Sequence, residues 1–194
     1  FAPSFARGLQ EMGHIYDAGK ISRQDMEYLA NVIKLDDLSE YTEPLTSLQG
    51  IEYFESLTQL SCYYNQLTSL GISANTALTE LYCYGNQLTS LDVSANMALM
   101  WLSCSYNSLE TLDISKNTAL TQLDCSSNSL TTLDVSANTA LTWLSCENNP
   151  GDGVSTFPVT AWFDNDTKPD NLEIYQGQWT YDGKTITIDF RKVE

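Results

Sequence analysis

Positive charge is scarce in this 194-residue chain: 9 Lys and Arg stand against 25 Asp and Glu, for a formal net charge of −16. A surface of that sign repels phosphate backbones and anionic headgroups, so nucleic acid and bare membrane are excluded as partners. Long apolar runs are missing too. The longest, Met97 to Leu102, has six residues, far short of the roughly 18 that span a bilayer, so direct membrane insertion is not expected. Histidine is almost absent. His14 is the only one, and a Ser/His/Asp or Cys/His arrangement would have to draw on that single remote residue, so no enzyme activity is expected. The chain opens at Phe1 without Met or an apolar signal core, and any export signal or lipid anchor is expected to have been removed. What remains is sufficient for a core: 42% of residues are hydrophobic and 18% charged, away from the composition of disordered chains.

The interior is organised by repetition. Cys62, Cys83, Cys104, Cys125 and Cys146 stand 21 residues apart, and Asn65, Asn86, Asn107, Asn128 and Asn149 keep the same step. A second asparagine series runs through Asn75, Asn96, Asn117 and Asn138. Two phrases alternate in each period, Leu78-Thr-Glu-Leu-Tyr-Cys-Tyr-Gly-Asn86 and Leu88-Thr-Ser-Leu-Asp-Val-Ser-Ala-Asn96. In a short strand alternate side chains face inward, which puts the second Leu and the Cys or Val two places later into the core. The Asn then falls at the bend, where its amide can pair backbone groups that a tight coil leaves open. A single coil exposes both flat sides of its apolar interior, so the unit is stable only when stacked and closed at each end. The expectation is a ladder of thiols beside a ladder of amides.

The phrase LxxLx(C/V)xxN resembles the leucine-rich repeat signature. From about Leu45 to Pro150 the chain is similar to secreted and cell-surface bacterial leucine-rich repeat proteins of 21-residue double half-repeats, the internalin-like group. That resemblance implies a β-solenoid with strands on both long faces, a secreted or cell-surface location and a role in recognition. It does not identify a partner.

Both ends depart from the repeat and are expected to be caps, giving residues 1–44 as a helical N-terminal cap, 45–150 as the solenoid and 151–194 as a C-terminal β cap. Ser22 with Asp25 three positions later predicts a helix start of the capping-box kind, although Asp is the weaker third-position partner. Met26, Leu29, Ala30 and Ile33 recur with helical spacing behind it, and Phe5, Leu9 and Met12 predict an earlier helix. In relatives this region often carries an EF-hand type loop before Gly-Lys-Ile-Ser. That phrase stands here as Gly19 to Ser22, but His14, Tyr16 and Ala18 occupy the first ligand positions, so calcium is not expected. At the other end, Trp179 and Tyr181 precede Asp182-Gly183, and Ile186, Ile188 and Phe190 alternate after it, which predicts a hairpin with a type I′ turn. Phe157, Trp162 and Trp179 are expected to cover the last coil.

No cofactor or metal is expected. Five thiols in a row, pointing the same way, neither pair off nor converge tetrahedrally, and they are read as free, buried groups. Asp92, Asp113 and Asp134 recur in phase, which marks a repeated structural element rather than a catalytic pair. The outward positions of this half are nearly copied. In the cysteine half they differ from coil to coil: Gln59, Glu80, Trp101, Gln122, Trp143; then Ser61, Tyr82, Ser103, Asp124, Ser145; then Tyr63, Tyr84, Ser105, Ser126, Glu147. Tyr63, Tyr82, Tyr84 and Trp101 are expected to form one patch, rimmed by Tyr64 and Tyr106, with Trp143 further along. Exposed Tyr and Trp dominate interface hot spots and also stack on sugars. The face formed by Tyr63, Glu80, Tyr82, Tyr84, Trp101, Tyr106, Asp124, Trp143 and Glu147 is therefore the expected binding face, for a protein partner. The alternatives are a glycan on the same face, held by Glu80, Asp124 and Asn148, a purely structural pairing of aromatics across the sheet, or a spacer that presents some other domain.

Overall fold

Each Leu-x-Cys unit becomes one rung of a parallel sheet. A computed structural model describes residues 1–35, 38 and 43–193. Strands β2 (Gln59–Ser61), β3 (Glu80–Tyr82), β4 (Trp101–Ser103), β5 (Gln122–Asp124) and β7 (Trp143–Ser145) lie side by side. β1 (Lys34–Leu35) and β9 (Glu173–Ile174) extend this sheet at its two edges. Register follows the period: Leu60 pairs with Leu81, Leu81 with Leu102, Leu102 with Leu123 and Leu123 with Leu144. These leucines and the five cysteines are fully buried. All five thiols are free, as the ladder geometry requires, and burial pushes the Cys62 thiol up to about 12.

The amide ladder satisfies the bend. Asn86 donates through Nδ2 to the carbonyls of Cys62 and Cys83, at 2.9 and 3.0 Å, while its Oδ1 accepts from Leu67 N at 3.0 Å. One side chain thus joins two coils. Just before each of these asparagines the backbone enters the left-handed region, at Tyr64 (φ 49°), Gly85 (67°), Tyr106 (52°), Ser127 (52°) and Asn148 (58°).

The second long face differs from the expectation of a second continuous strand face. Among the described residues, strand structure there is confined to β6 (Leu133–Asp134), which pairs with β8 (Thr156–Ala161) beyond the repeats. Leu133–Asp134 is a strand because β8 lies beside it as a pairing partner. Asp92, Asp113 and Asp134 take the amides of Ser94, Ser115 and Ser136 at 2.8–2.9 Å, a turn repeated on every one of these coils. Bonds from Ser94 and Ser115 also hold the Asp92 and Asp113 carboxyls below the ordinary carboxylate range. The coils are tied together on this side by Asn96, Asn117 and Asn138, each donating to two backbone carbonyls of earlier coils.

At the N-terminal end, α1 (Pro3–Glu11) buries Phe5 and Leu9, and Phe5 meets Phe54 of the first coil at a tilt of 40°, ring centroids 6.0 Å apart. α2 (Arg23–Leu29) begins with the expected capping box, Asp25 N to Ser22 Oγ at 3.1 Å and Ser22 N to Asp25 Oδ2 at 2.7 Å. The helix stops at Leu29, so Ile33 lies beyond it and is exposed rather than on its buried face. The segment of the expected cap at residues 36, 37 and 39–42 lies outside the described residues. At the other end, β10 (Gln178–Tyr181) and β11 (Lys184–Lys192) form the expected hairpin, with Asp182 and Gly183 both at positive φ. β11 pairs in parallel with β8. Phe157 and Trp179 are buried, Trp162 half-buried, and Trp179 Nε1 donates to the carbonyl of Asn149 at 2.9 Å, which fastens this segment to the last coil. One apolar cluster runs unbroken from Ala2 to Phe190.

Candidate binding face

Parallel register turns the outward positions into straight rows, because each side chain stands beside its counterpart about 4.8 Å away on the next strand. One row reads Glu80, Trp101, Gln122, Trp143, Glu173. The adjacent row reads Tyr82, Ser103, Asp124, Ser145, with Tyr175 following β9 and bonded through its amide to Leu144 O.

The aromatic rings gather in three groups rather than one. Tyr63 and Tyr84 stack at 4.7 Å with an interplanar angle of 4°, and Tyr64 sets its edge against both. Tyr82 and Trp101 meet edge to face at 5.4 Å. Trp143 meets Tyr175 at 6.3 Å. Trp101 is 37% exposed, Tyr64 66% and Tyr106 62%, whereas Tyr63, Tyr82, Tyr84 and Trp143 are half-buried. Tyr175 escaped the sequence reading because it lies outside the repeat; only the return of the chain as a seventh strand brings it here.

The polar members are held in place by their neighbours. Glu80 Oε2 accepts from Tyr82 OH at 3.0 Å. Asp124 Oδ1 accepts from the Ser126 hydroxyl at 2.7 Å and amide at 3.1 Å, and Oδ2 lies 3.4 Å from Ser103 Oγ. Glu147 differs from expectation: it is only 7% exposed, and its Oε2 accepts from Ser145 Oγ at 2.7 Å. With Ser103, Ser105, Ser126 and Ser145 also buried, the aromatic pairs stand above a low hydroxyl floor.

Gly85 sets the seat of Tyr64. A Cβ there would come within 2.5 Å of Tyr64 Cδ1, on a backbone at φ 67°. Gly85→Ala is expected to cost about 1–2 kcal/mol and to lower the melting temperature by roughly 2–8 °C. The near-UV circular dichroism of the tyrosine group should change with it; an unchanged spectrum and melting curve would refute this seating.

Elsewhere, an open depression of about 890 Å³ lies beside α1 and α2, lined by Gln10, His14, Tyr16, Asp17, Asp25 and Tyr28 among others. Burial lowers the pKa of His14, whose Nδ1 lies 3.5 Å from Tyr28 OH. Asp17 Oδ1 accepts from Gly19 N, so the loop closes on itself. Among the described residues no three His, Cys, Asp or Glu side chains group closely enough to hold a metal ion, and no helix is long and apolar enough to cross a membrane.

Residues 55–96 match the family model described as leucine rich repeats in two copies. The functional domain of InlJ from Listeria monocytogenes, described as including a cysteine ladder, is 40% identical, with a TM-score of 0.61 over 70% of this chain and 31% of that chain. A leucine-rich repeat protein of Leptospira interrogans is 30% identical, with a TM-score of 0.59 over 67% of this chain and 35% of its own. An internalin of Listeria monocytogenes, InlF, has a TM-score of 0.66 over 81% of this chain and 49% of its own, at 22% identity, a likeness of fold alone. The chain spans about a third of the length of the first two. No curated protein matches it significantly. The chain is a leucine-rich repeat β-solenoid, similar in structure to internalin-like leucine-rich repeat proteins.

Proposed function

We propose that this is a non-enzymatic recognition module, secreted or held at a cell surface, that binds a protein partner through the strand face carrying Tyr63, Glu80, Tyr82, Tyr84, Trp101, Tyr106, Asp124 and Trp143. Leucine-rich repeat domains are typically protein-interaction modules, and the observation that carries the reading is the contrast between the two halves of one repeat. Coil after coil, the aspartate half copies its outward residues while the cysteine half changes them. Folding alone needs no such variety, because the Leu, Cys and Asn ladders are shared by every coil. The variable positions are also the residue types that form interface hot spots.

A photo-cross-linking residue replacing Gln122, between Trp101 and Trp143, should trap a partner protein, while the same group at Asp113 on the copied face should not. Trp101→Ala combined with Tyr82→Ala should weaken that partner's binding at least tenfold, as truncated hot spots do. Equal trapping from both positions, or binding indifferent to the double variant, would refute the assignment of this face. Trp101-dependent binding to oligosaccharides without any protein partner would instead establish the glycan reading, which rests on planar rings beside Glu80 and Asp124.

A further inference from the structure

We infer that the partner presents an arginine side chain to a socket on β5, where it lies over Gln122 between Trp101 and Trp143 and its guanidinium reaches Asp124 in the adjacent row; this rests on the binding-face reading above and names its occupant. The two rows on the sheet are nearly mirror-symmetric about β5. Glu80 and Trp101 on one side answer Glu173 and Trp143 on the other, across Gln122, and Tyr82 answers Tyr175 across Asp124. Each tryptophan is braced by a tyrosine, at 5.4 and 6.3 Å. The strands that carry the tryptophans are two spacings apart, roughly 10 Å, room for one flat group between two rings.

The floor of that gap is Gln122, and the acidic group stands beside it, pre-set, two residues further along β5. Asp124 sits between Ser103 and Ser145 in its row, and its carboxylate is oriented by Ser126 and Ser103. Among the described residues no cation pairs with it. Between Lys34 and Lys168 the only basic residue is Lys116, which follows Asp113 on the copied half. Lys34 itself lies on β1, three strands from Trp101 in the row. A planar, permanently charged group that pairs with a carboxylate and stacks on indole meets all these conditions. That group is guanidinium; an ammonium is compact and more strongly hydrated, and fits the slot less well.

A random peptide library selected on the intact chain tests this. Peptides that bind should carry Arg, and replacing it with citrulline, planar but neutral, should weaken binding about tenfold or more, with Lys intermediate. The indole N–H resonances of Trp101 and Trp143 should shift on titration, and affinity should fall with salt. Asp124→Asn should remove the preference for Arg over citrulline, while Trp101→Phe retains it; urea midpoints of both variants confirm folding. Because the citrulline comparison uses the unaltered protein, it reads out even if a variant fails to fold. Binders that require Trp101 but tolerate citrulline would overturn the arginine socket and leave the binding face standing. Binders indifferent to Trp101→Ala, or oligosaccharides as the only Trp101-dependent ligands, would overturn both.

Discussion

Asn128→Ala is expected to cost about 3–5 kcal/mol, a large share of the 5–15 kcal/mol that keeps a domain folded. Asn128 donates to Cys104 O, Cys125 O and Ser126 O and accepts from Leu109 N at 3.0 Å, so truncation strips one buried amide and several carbonyls of partners at once. The equivalent change in the second ladder, Asn117→Ala, should cost less, about 1–3 kcal/mol. It removes the donor to Val93 O and Asn96 O, but also a buried Oδ1 that has no hydrogen-bond partner. Urea denaturation of the two variants side by side gives the comparison. Equal losses, or a larger one at Asn117, would mean that the amide oxygens of the first ladder contribute nothing.

Alkali should unfold the chain well before its backbone is harmed. All five thiols have pKa values raised by desolvation, Cys62 to about 12. A raised pKa in the folded state means that the stabilisation is complete below the unfolded value near 9 and is lost as pH rises towards the folded one. At pH 11, two units above that unfolded value, Cys62 alone should contribute roughly 3 kcal/mol of destabilisation. The other four thiols act with the same sign, so the fold should be stable at pH 8 and largely lost by about pH 11. Thermal melts across this range measure the slope, and replacing Cys62 and Cys146 by Ala should flatten it. Rapid labelling of native thiols at pH 8, or melting temperatures level to pH 11, would contradict the buried ladder.

Much of the solenoid was legible because its physics is local and repeated. The step of 21 residues between cysteines dictates the pairing of Leu81 with Leu102, since any other register would break every ladder at once. The capping box at Ser22 and the turn at Asp182-Gly183 were equally visible, as both are decided within four residues. The second face was not. Leu91-Asp92-Val93 repeats Leu133-Asp134-Val135 residue for residue, yet only Leu133–Asp134 is a strand, because β8 from beyond the repeats stands beside it to pair.

The proposed binding face divides in the same way. Which residues vary from coil to coil is written in the chain, and so is the alternation that faces Tyr82 and Trp101 outward. Which rings touch, and how deep each side chain lies, is not. Glu147 was expected outside and is buried, bonded to Ser145. Tyr175, 29 residues after Cys146, is placed on the face only because β9 closes the sheet against β7. Periodicity therefore determined the stacking, the thiol and amide ladders and the outward set, because each follows from contacts between like positions one period apart. The tertiary structure decided the place of Tyr175 and the burial of Glu147, because those depend on contacts that the repeat does not carry from coil to coil.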